Sequence, residues 1–465
     1  MSIDIPDGWT SAPLRELFTL NPSKPPADAV PPETPVSFVP MPAVDASAGT
    51  IQGAAERPFA EVRKGYTAFV DNDVLLAKIT PCFENGKAAI ARGLTNGMGF
   101  GSSEFFVFRG RGAVLPDYLF HYLRQPALRE EGAAQMNGAV GQARVPADFL
   151  RSLELPVPPA PEQHRIVIKL EALLEQVNHA RVRLERIPLI VKRFRQSILA
   201  AACSGQLTRS WREDHKHEDA WRTSSVERVC EIVVDCPHST PKWSESGEIC
   251  LRTTNFFVKG LDLREVRRVS SATFNERVAR LVPKPGDVVY SREGGILGIA
   301  CVIPVGLRAC LGQRMMLMRP NVEMIRSDFL RAVLNSPTTN EIVRELTGGT
   351  AAPHLNVGDI KKFEVPLPSL AEQDELLAQL SQLSALANAV EEHVHAATIR
   401  ADKLTQSLLS KAFSGQLVPT EAELARGEGR SYETATQLLQ RVTATEHAGE
   451  SNGKQRKPGR RRNAD

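Results

Sequence analysis

The residues able to do chemistry in this chain do not assemble into a catalytic set. The run Asn21-Pro22-Ser23-Lys24 lacks the second proline and the aromatic residue of an NPPY-like methyltransferase motif, and Pro116-Asp117 is not followed at normal distance by a (D/E)xK. Glycine-rich turns such as TNGMGFGSS, MNGAVGQ, REGGILG and TGGTAAP match neither GxxxxGK[ST] nor GxGxxG between a strand and a helix, so none reads as a phosphate cradle. The seven cysteines form no CxxC pair and read as reduced, mostly buried thiols; His215 with His217 and His393 with His395 read as solvated pairs rather than metal ligands. What does recur with fixed spacing is a pair of polar residues: Glu162-Gln163 in LPVPPAPEQHRI and Glu372-Gln373 in VPLPSLAEQDEL, 210 residues apart. Carboxylates there can cap a helix start, and the same four residues, Glu162, Gln163, Glu372 and Gln373, are candidates for docking a partner.

The elements that would carry these pairs are legible from periodicity. SILAAACSGQLT from Ser197 is echoed by SLLSKAFSGQLV from Ser407, in the same frame as the Glu-Gln pairs, which indicates duplication of a large unit. Between the two phrases, apolar residues fall at Ile166, Leu170, Leu173, Val177, Ala180, Leu184, Ile187, Val191, Phe194 and Ile198, and every position 210 residues later is again apolar, from Leu376 through Leu404 to Leu408. Steps alternating four and three make a coiled-coil seam. Each predicted helix starts after a proline-rich phrase, near Pro161 and near Leu370, and stops at Gly205 or Gly415, giving a rod of roughly 65 Å at 1.5 Å per residue. Pro188 predicts a kink or a local break in the first copy. Two such helices in one chain are expected to pair with each other, antiparallel.

Ahead of each helix lies a mixed α and β segment with fainter echoes: Trp9 with Trp221, Asp117–Pro126 with Asp328–Pro337, and DNDVLLAKI with PGDVVYSRE, which sets Lys78 opposite Arg292. The expected layout is residues 1–158 as a first globular domain, 159–208 as a central helix, 209–367 as a second domain, 368–418 as a distal helix, and 419–465 as a terminal helix, with Leu438, Leu439 and Val442 at helical spacing, plus a basic tail. The fold class is α/β in the mixed α+β sense, two pseudo-repeated domains joined by an intramolecular antiparallel coiled coil. The net charge of +3 comes from the tail, since the last fifteen residues hold six Lys or Arg and one Asp. Nucleic-acid binding would therefore need local patches. A signal peptide and a membrane span are not apparent, and a cytoplasmic location is expected.

The stretches Asn72–Gly110 and Pro285–Pro320 resemble the two target-recognition domains of type I restriction-modification specificity subunits, and the LPVPPAPEQHRI and SGQLT phrases with their copies resemble that family's central and distal conserved regions. The resemblance runs from Trp9 to about Val442 and lies in the order, duplication and spacing of the phrases. It implies that each domain recognises half of a bipartite double-stranded DNA site, while the helix pair sets the unread spacer. It further implies no catalysis and no cofactor in this chain. Two modification (methyltransferase) subunits and restriction (ATP-dependent translocase and nuclease) subunits would be partners, bringing S-adenosylmethionine, ATP and Mg²⁺. Candidate DNA contacts are then polar and basic residues in domain turns: Lys78, Thr80, Lys87, Arg92 and Ser103 in the first domain, with Glu104 able to orient a neighbouring Arg, and Arg252, Ser291, Arg292, Gln313 and Arg314 in the second. The alternative is a coiled-coil scaffold whose lateral domains bind protein or carbohydrate.

Overall fold

The computed structural model describes residues 5–46, 48–139, 141–216, 220–348 and 353–454. The chain packs as two compact units, one of residues 1–183 with 398–465 and one of residues 184–397. Each unit owns part of both long helices.

In the first unit a four-stranded antiparallel sheet has the order Phe18–Leu20, Phe105–Gly110, Val74–Ala77, Ala88–Ile90, and a clasp of Thr10–Pro13 against Glu154–Val157 ties the domain's two ends together. The strand Val74–Ala77, VLLA, is buried at all four positions, so it is a continuous apolar run rather than an alternating one. A second sheet contains a parallel pair, Pro35–Val39 with Met98–Gly101. The second unit repeats the first sheet as Cys230–Asp235, Met315–Pro320, Val288–Ser291, Ala300–Val302, and repeats the clasp as Arg222–Ser225 against Glu364–Leu367. Its second sheet keeps a parallel pair, Glu248–Leu251 with Ala309–Leu311, but arranges the remaining strands differently. One ion pair holds each main sheet at the same place. Asp73 accepts a two-pronged bond from Arg109 at 2.9 and 2.7 Å. Asp287 does the same with Arg319, at 2.8 Å for both bonds.

The long helices span Ala160–Cys203 and Leu370–Phe413, 44 residues each. In the first unit Ile166 and Leu170, near the start of the first helix, share a core with Leu408, Ala412 and Phe413 at the end of the second. In the second unit Ile198 and Ala202 pack with Leu376 and Leu380, so the pairing is antiparallel in each. Arg181 bonds Asp402 in the first unit and Arg195 bonds Asn388 at 2.8 Å in the second.

Of the two outcomes expected at Pro188, the local break is absent: the first helix continues through it, the missing N–H removing one ladder bond and not the helix. The seam also drifts: Ala180 is exposed, and the equivalent residues Phe194 and Leu404 are 37% and 49% exposed. A helix of 3.6 residues per turn rotates away from a strict 3.5 repeat, and the neighbouring Arg195 and Thr405 are the more enclosed residues there. The C-terminal segment forms helices Glu421–Glu428 and Ala435–Lys454, with Leu438 buried in the first unit's core and Leu439 and Val442 packed beside it. The basic tail beyond residue 454 lies outside the described residues.

Candidate nucleic-acid interface

The duplicated Glu-Gln pairs have an internal task. Glu162, Gln163, Glu372 and Gln373 are 0, 1, 3 and 0% exposed, which leaves no surface for a partner and corrects the docking expectation. Glu162 accepts bonds from the Trp9 indole N–H at 2.9 Å and from the backbone N–H of Glu421 at 2.7 Å. Glu372 accepts from the Trp221 indole at 3.0 Å, from Thr208 Oγ1 at 2.6 Å, and from Arg212. The glutamines work identically on the other side. Gln163 accepts from the N–H of Leu115 and donates to the carbonyls of Ala113 and Pro158, while Gln373 accepts from Arg326 N–H and donates to Met324 and Pro368. Leu115 and Arg326 are the residues that open the helices Pro116–Leu123 and Ser327–Leu334. Each pair therefore fastens a long helix to its domain through one indole and one helix entry.

The SGQL turn completes the fastening. Gly205 and Gly415 have φ of +75° and +72°, which suits glycine, and a Cβ there would lie 3.1 Å from Cζ2 of Trp221 and 3.5 Å from Cζ2 of Trp9. Burial raises the Glu162 carboxyl above the usual carboxylate range, opposed by the bonds from Glu421 and Trp9. Glu421 is itself buried. Burial pushes it up, but bonds from Arg165 and Arg430 outweigh that and hold it below the usual range.

Each domain has a second repeated feature, where three backbone segments meet. In the first, Lys78 N–H donates to the Glu104 carbonyl at 2.9 Å, Val145 N–H donates to the Lys78 carbonyl at 3.0 Å, and Ile79 bridges Arg144. In the second, Arg292 N–H donates to Arg314, Leu355 N–H donates to Arg292, and Glu293 bridges His354. The sequence alignment of Lys78 with Arg292 is thus a spatial one. The same scaffold presents Lys78, Ser103, Glu104 and Arg144 in one domain and Arg292, Gln313, Arg314 and His354 in the other. Arg144 and His354 were missed from sequence; the signal was their separation by the repeat's own 210 residues, in segments otherwise too diverged to align by eye.

The side chains at this place differ in availability. Lys78 is half-buried, its Nζ 5.4 Å from the Phe106 ring centre. Ser103 and Arg314 are exposed. Glu104 takes both Nε and Nη2 of Arg144 at 2.9 Å, and those bonds lower the Glu104 carboxyl and raise the Arg144 guanidinium. Gln313 is half-buried and donates to the carbonyl of His238 and to Thr240 Oγ1.

Arg292 and Ser291 contradict the expectation of a DNA contact. Arg292 is buried, its guanidinium paired with both oxygens of Asp235 at 2.9 and 3.0 Å and with Glu293 at 2.6 Å. Ser291 is fully buried and its Oγ accepts from Ile299 N–H. The remaining candidates are partly committed inside their domain. Thr80 Oγ1 donates to Glu84, Lys87 to the Met41 carbonyl, Arg92 to both oxygens of Asp117, and Arg252 to the Glu265 carbonyl at 3.4 Å. Of these four only Thr80 touches the repeated three-segment feature, through its backbone N–H, which donates to the Ala143 carbonyl at 3.0 Å as Gly294 N–H does to Pro353 at 3.3 Å in the second domain.

Among the described residues no group of three or more His, Cys, Asp or Glu side chains could hold a metal ion, and the seven cysteines are free thiols. Nor is any described helix long and apolar enough to cross a membrane.

The model of the type I restriction modification DNA specificity domain matches residues 6–187 and again residues 218–397. Over 351 residues the chain is 28% identical to the EcoKI specificity subunit of Escherichia coli K12, 73% of each chain being covered. It is 30% identical over 313 residues to the Escherichia coli EcoBI specificity subunit, covering 63% of this chain and 65% of that one. With the Escherichia coli EcoAI specificity subunit the identity is 38% over 172 residues, 37% of this chain and 29% of the other. Among solved structures, a chain of a type I restriction-modification system superposes with a TM-score of 0.70 at 23% identity, covering 89% of this chain and 99% of that one. The HsdS subunit from Thermoanaerobacter tengcongensis gives 0.59 at 22% identity, with 89% and 98% covered. These two likenesses show the fold. The family match, falling once on each half of a chain whose sheet, clasp and helix fastening are all built twice, places it in the type I restriction-modification DNA specificity family.

Proposed function

We propose that this chain is the DNA-recognition subunit of a type I restriction-modification complex, non-catalytic itself, which selects a bipartite double-stranded site and positions methyltransferase and restriction subunits on it. One observation carries the reading: the same three-segment scaffold occurs once per domain with different side chains on it. Equal scaffolds give equal docking on a duplex, and unequal side chains give two different half-sequences. The two helices are equal in length, as a spacer of constant length requires.

The partner surface is moved by the burial of the Glu-Gln pairs. Ile168, Leu189 and Ile190 on the first helix and Leu386 and Leu404 on the second are exposed large apolar side chains, and such residues on a helix support docking of another protein. Methyltransferase subunits are assigned to these faces, with restriction subunits joining through them. S-adenosylmethionine, ATP and Mg²⁺ belong to those partners, and the complex acts on DNA in the cytoplasm.

Methylation mapping of genomic DNA from cells with and without this chain tests the reading. The expected result is one split motif with a gap of fixed length that loses methylation when the chain is removed. If no split motif changes, the reading is wrong.

A further inference from the structure

The guanidinium of Arg144 is held in a way that leaves a defined pair of donors. Of its five N–H groups, Nε and one on Nη2 go to Glu104 at 2.9 Å, and one on Nη1 goes to the Gln142 carbonyl at 3.0 Å. One N–H remains on each terminal nitrogen. Its backbone is fixed as well, by reciprocal bonds with Asn137 at 2.9 and 3.1 Å. Arg144 is nonetheless exposed, with 45% of its side chain accessible against 24% for Glu104.

We propose that Arg144 reads a guanine in the half-site of the first domain through these two N–H groups, and that Glu104 is the residue that positions it. This rests on the DNA-recognition reading above. The remaining donors are a pair, and in the major groove guanine presents a pair of acceptors, O6 and N7, whereas adenine offers one acceptor beside a donor, thymine one acceptor and cytosine a donor. The carboxylate cancels the charge that would draw Arg144 to a phosphate, yet leaves the directional donors in place, which favours a base edge over the backbone. A guanidinium already held at its back edge and by its backbone also has less freedom to lose on binding. In the second domain the place of Glu104 is taken by Arg314 and that of Arg144 by His354, so no carboxylate occupies the equivalent position and the second half-site is read by other means.

The test uses the complete complex with its partner subunits, once the bipartite site has been mapped, and competes the mapped duplex against duplexes altered at one base pair at a time. Arg144→Ala should lose about tenfold to a hundredfold discrimination at a single G·C pair of one half-site. Arg144→Lys, which keeps the charge and loses the fork, should lose discrimination at the same pair. Glu104→Gln should shift that pair in the same direction by less, with the other pairs unaffected, a pattern that loss of fold would not produce. Uniform weakening across all duplexes with a salt slope smaller by about one would make Arg144 a phosphate contact and overturn the proposal. So would unaltered discrimination at every pair. A wild-type complex that prefers no split sequence would instead refute the DNA-recognition reading itself.

Discussion

Replacing Trp9 and Glu162 singly and together tests whether the duplicated phrase works as a fastening. Trp9→Phe removes one charge-assisted bond to a buried carboxylate, about 1.5–3 kcal/mol. Glu162→Ala removes the acceptor for two donors, the Trp9 indole and the Glu421 amide, at about 1–3 kcal/mol each, offset in part because a buried carboxylate is no longer desolvated. Were the two residues independent, their effects would add; as direct partners they should show a coupling of about 1.5–3 kcal/mol. Hydrogen exchange is the assay, because the loss should localise to the clasp Thr10–Pro13 with Glu154–Val157 and to the first turns of the helix from Ala160, leaving Leu184–Ala397 protected. A coupling under about 0.5 kcal/mol, within the scatter of independent sites, would refute the fastening, as would exchange spread evenly over both units. Proton linkage gives an independent check. Burial raises the folded-state Glu162 carboxyl above its unfolded value, so its ionisation opposes folding. The stability of wild type relative to Glu162→Gln should be highest below the ordinary carboxylate range and fall as pH rises through the raised value. An advantage growing with pH would reverse the sign and defeat the account.

Other perturbations follow from the same geometry. Arg292→Met should destabilise the second domain, by at most about 3–5 kcal/mol, because Asp235 would keep, among the described residues, only His238, at 2.9 Å, as a side-chain partner; an unchanged thermal melt with altered base preference would return Arg292 to the DNA face. Gly415→Ala should destabilise more than Gly205→Ala in chemical unfolding. Both force a left-handed φ, costing about 1–2 kcal/mol, but the new Cβ at 415 meets Pro6 Cγ at 2.4 Å, whereas at 205 the nearest atom is an Arg212 nitrogen at 3.1 Å; the reverse ranking would contradict the packing. Ile190→Ser with Leu404→Ser should change the melt little, both side chains being exposed, yet weaken copurification of a methyltransferase subunit. Undiminished copurification would move the docking face elsewhere.

How much of this was legible in sequence depended on whether a property is periodic or spatial. The long helices were legible because burial on a helix repeats in the sequence itself, and their ends because proline and left-handed glycine have local causes. The same reasoning failed at Phe194 and Leu404, where a strict heptad count outruns the real helical turn. Glu162 and Glu372 were visible as an echo, and so were Trp9 and Trp221. That each glutamate accepts its tryptophan could not be read, since the partners lie 153 and 151 residues apart in the chain, and a charged residue is exposed by default. The pair Lys78 and Arg292 shows the limit most sharply. Alignment put them at one place and the fold agrees, but Asp235 arrives from another strand and buries Arg292, while Lys78 stays half open. Equivalent position thus predicted equivalent backbone and not equivalent availability. On the proposed reading, in which two different half-sequences are held on one repeated frame, that divergence is the expected product: the backbone bonds at 78, 104 and 145 recur at 292, 314 and 355, while the side chains they present differ.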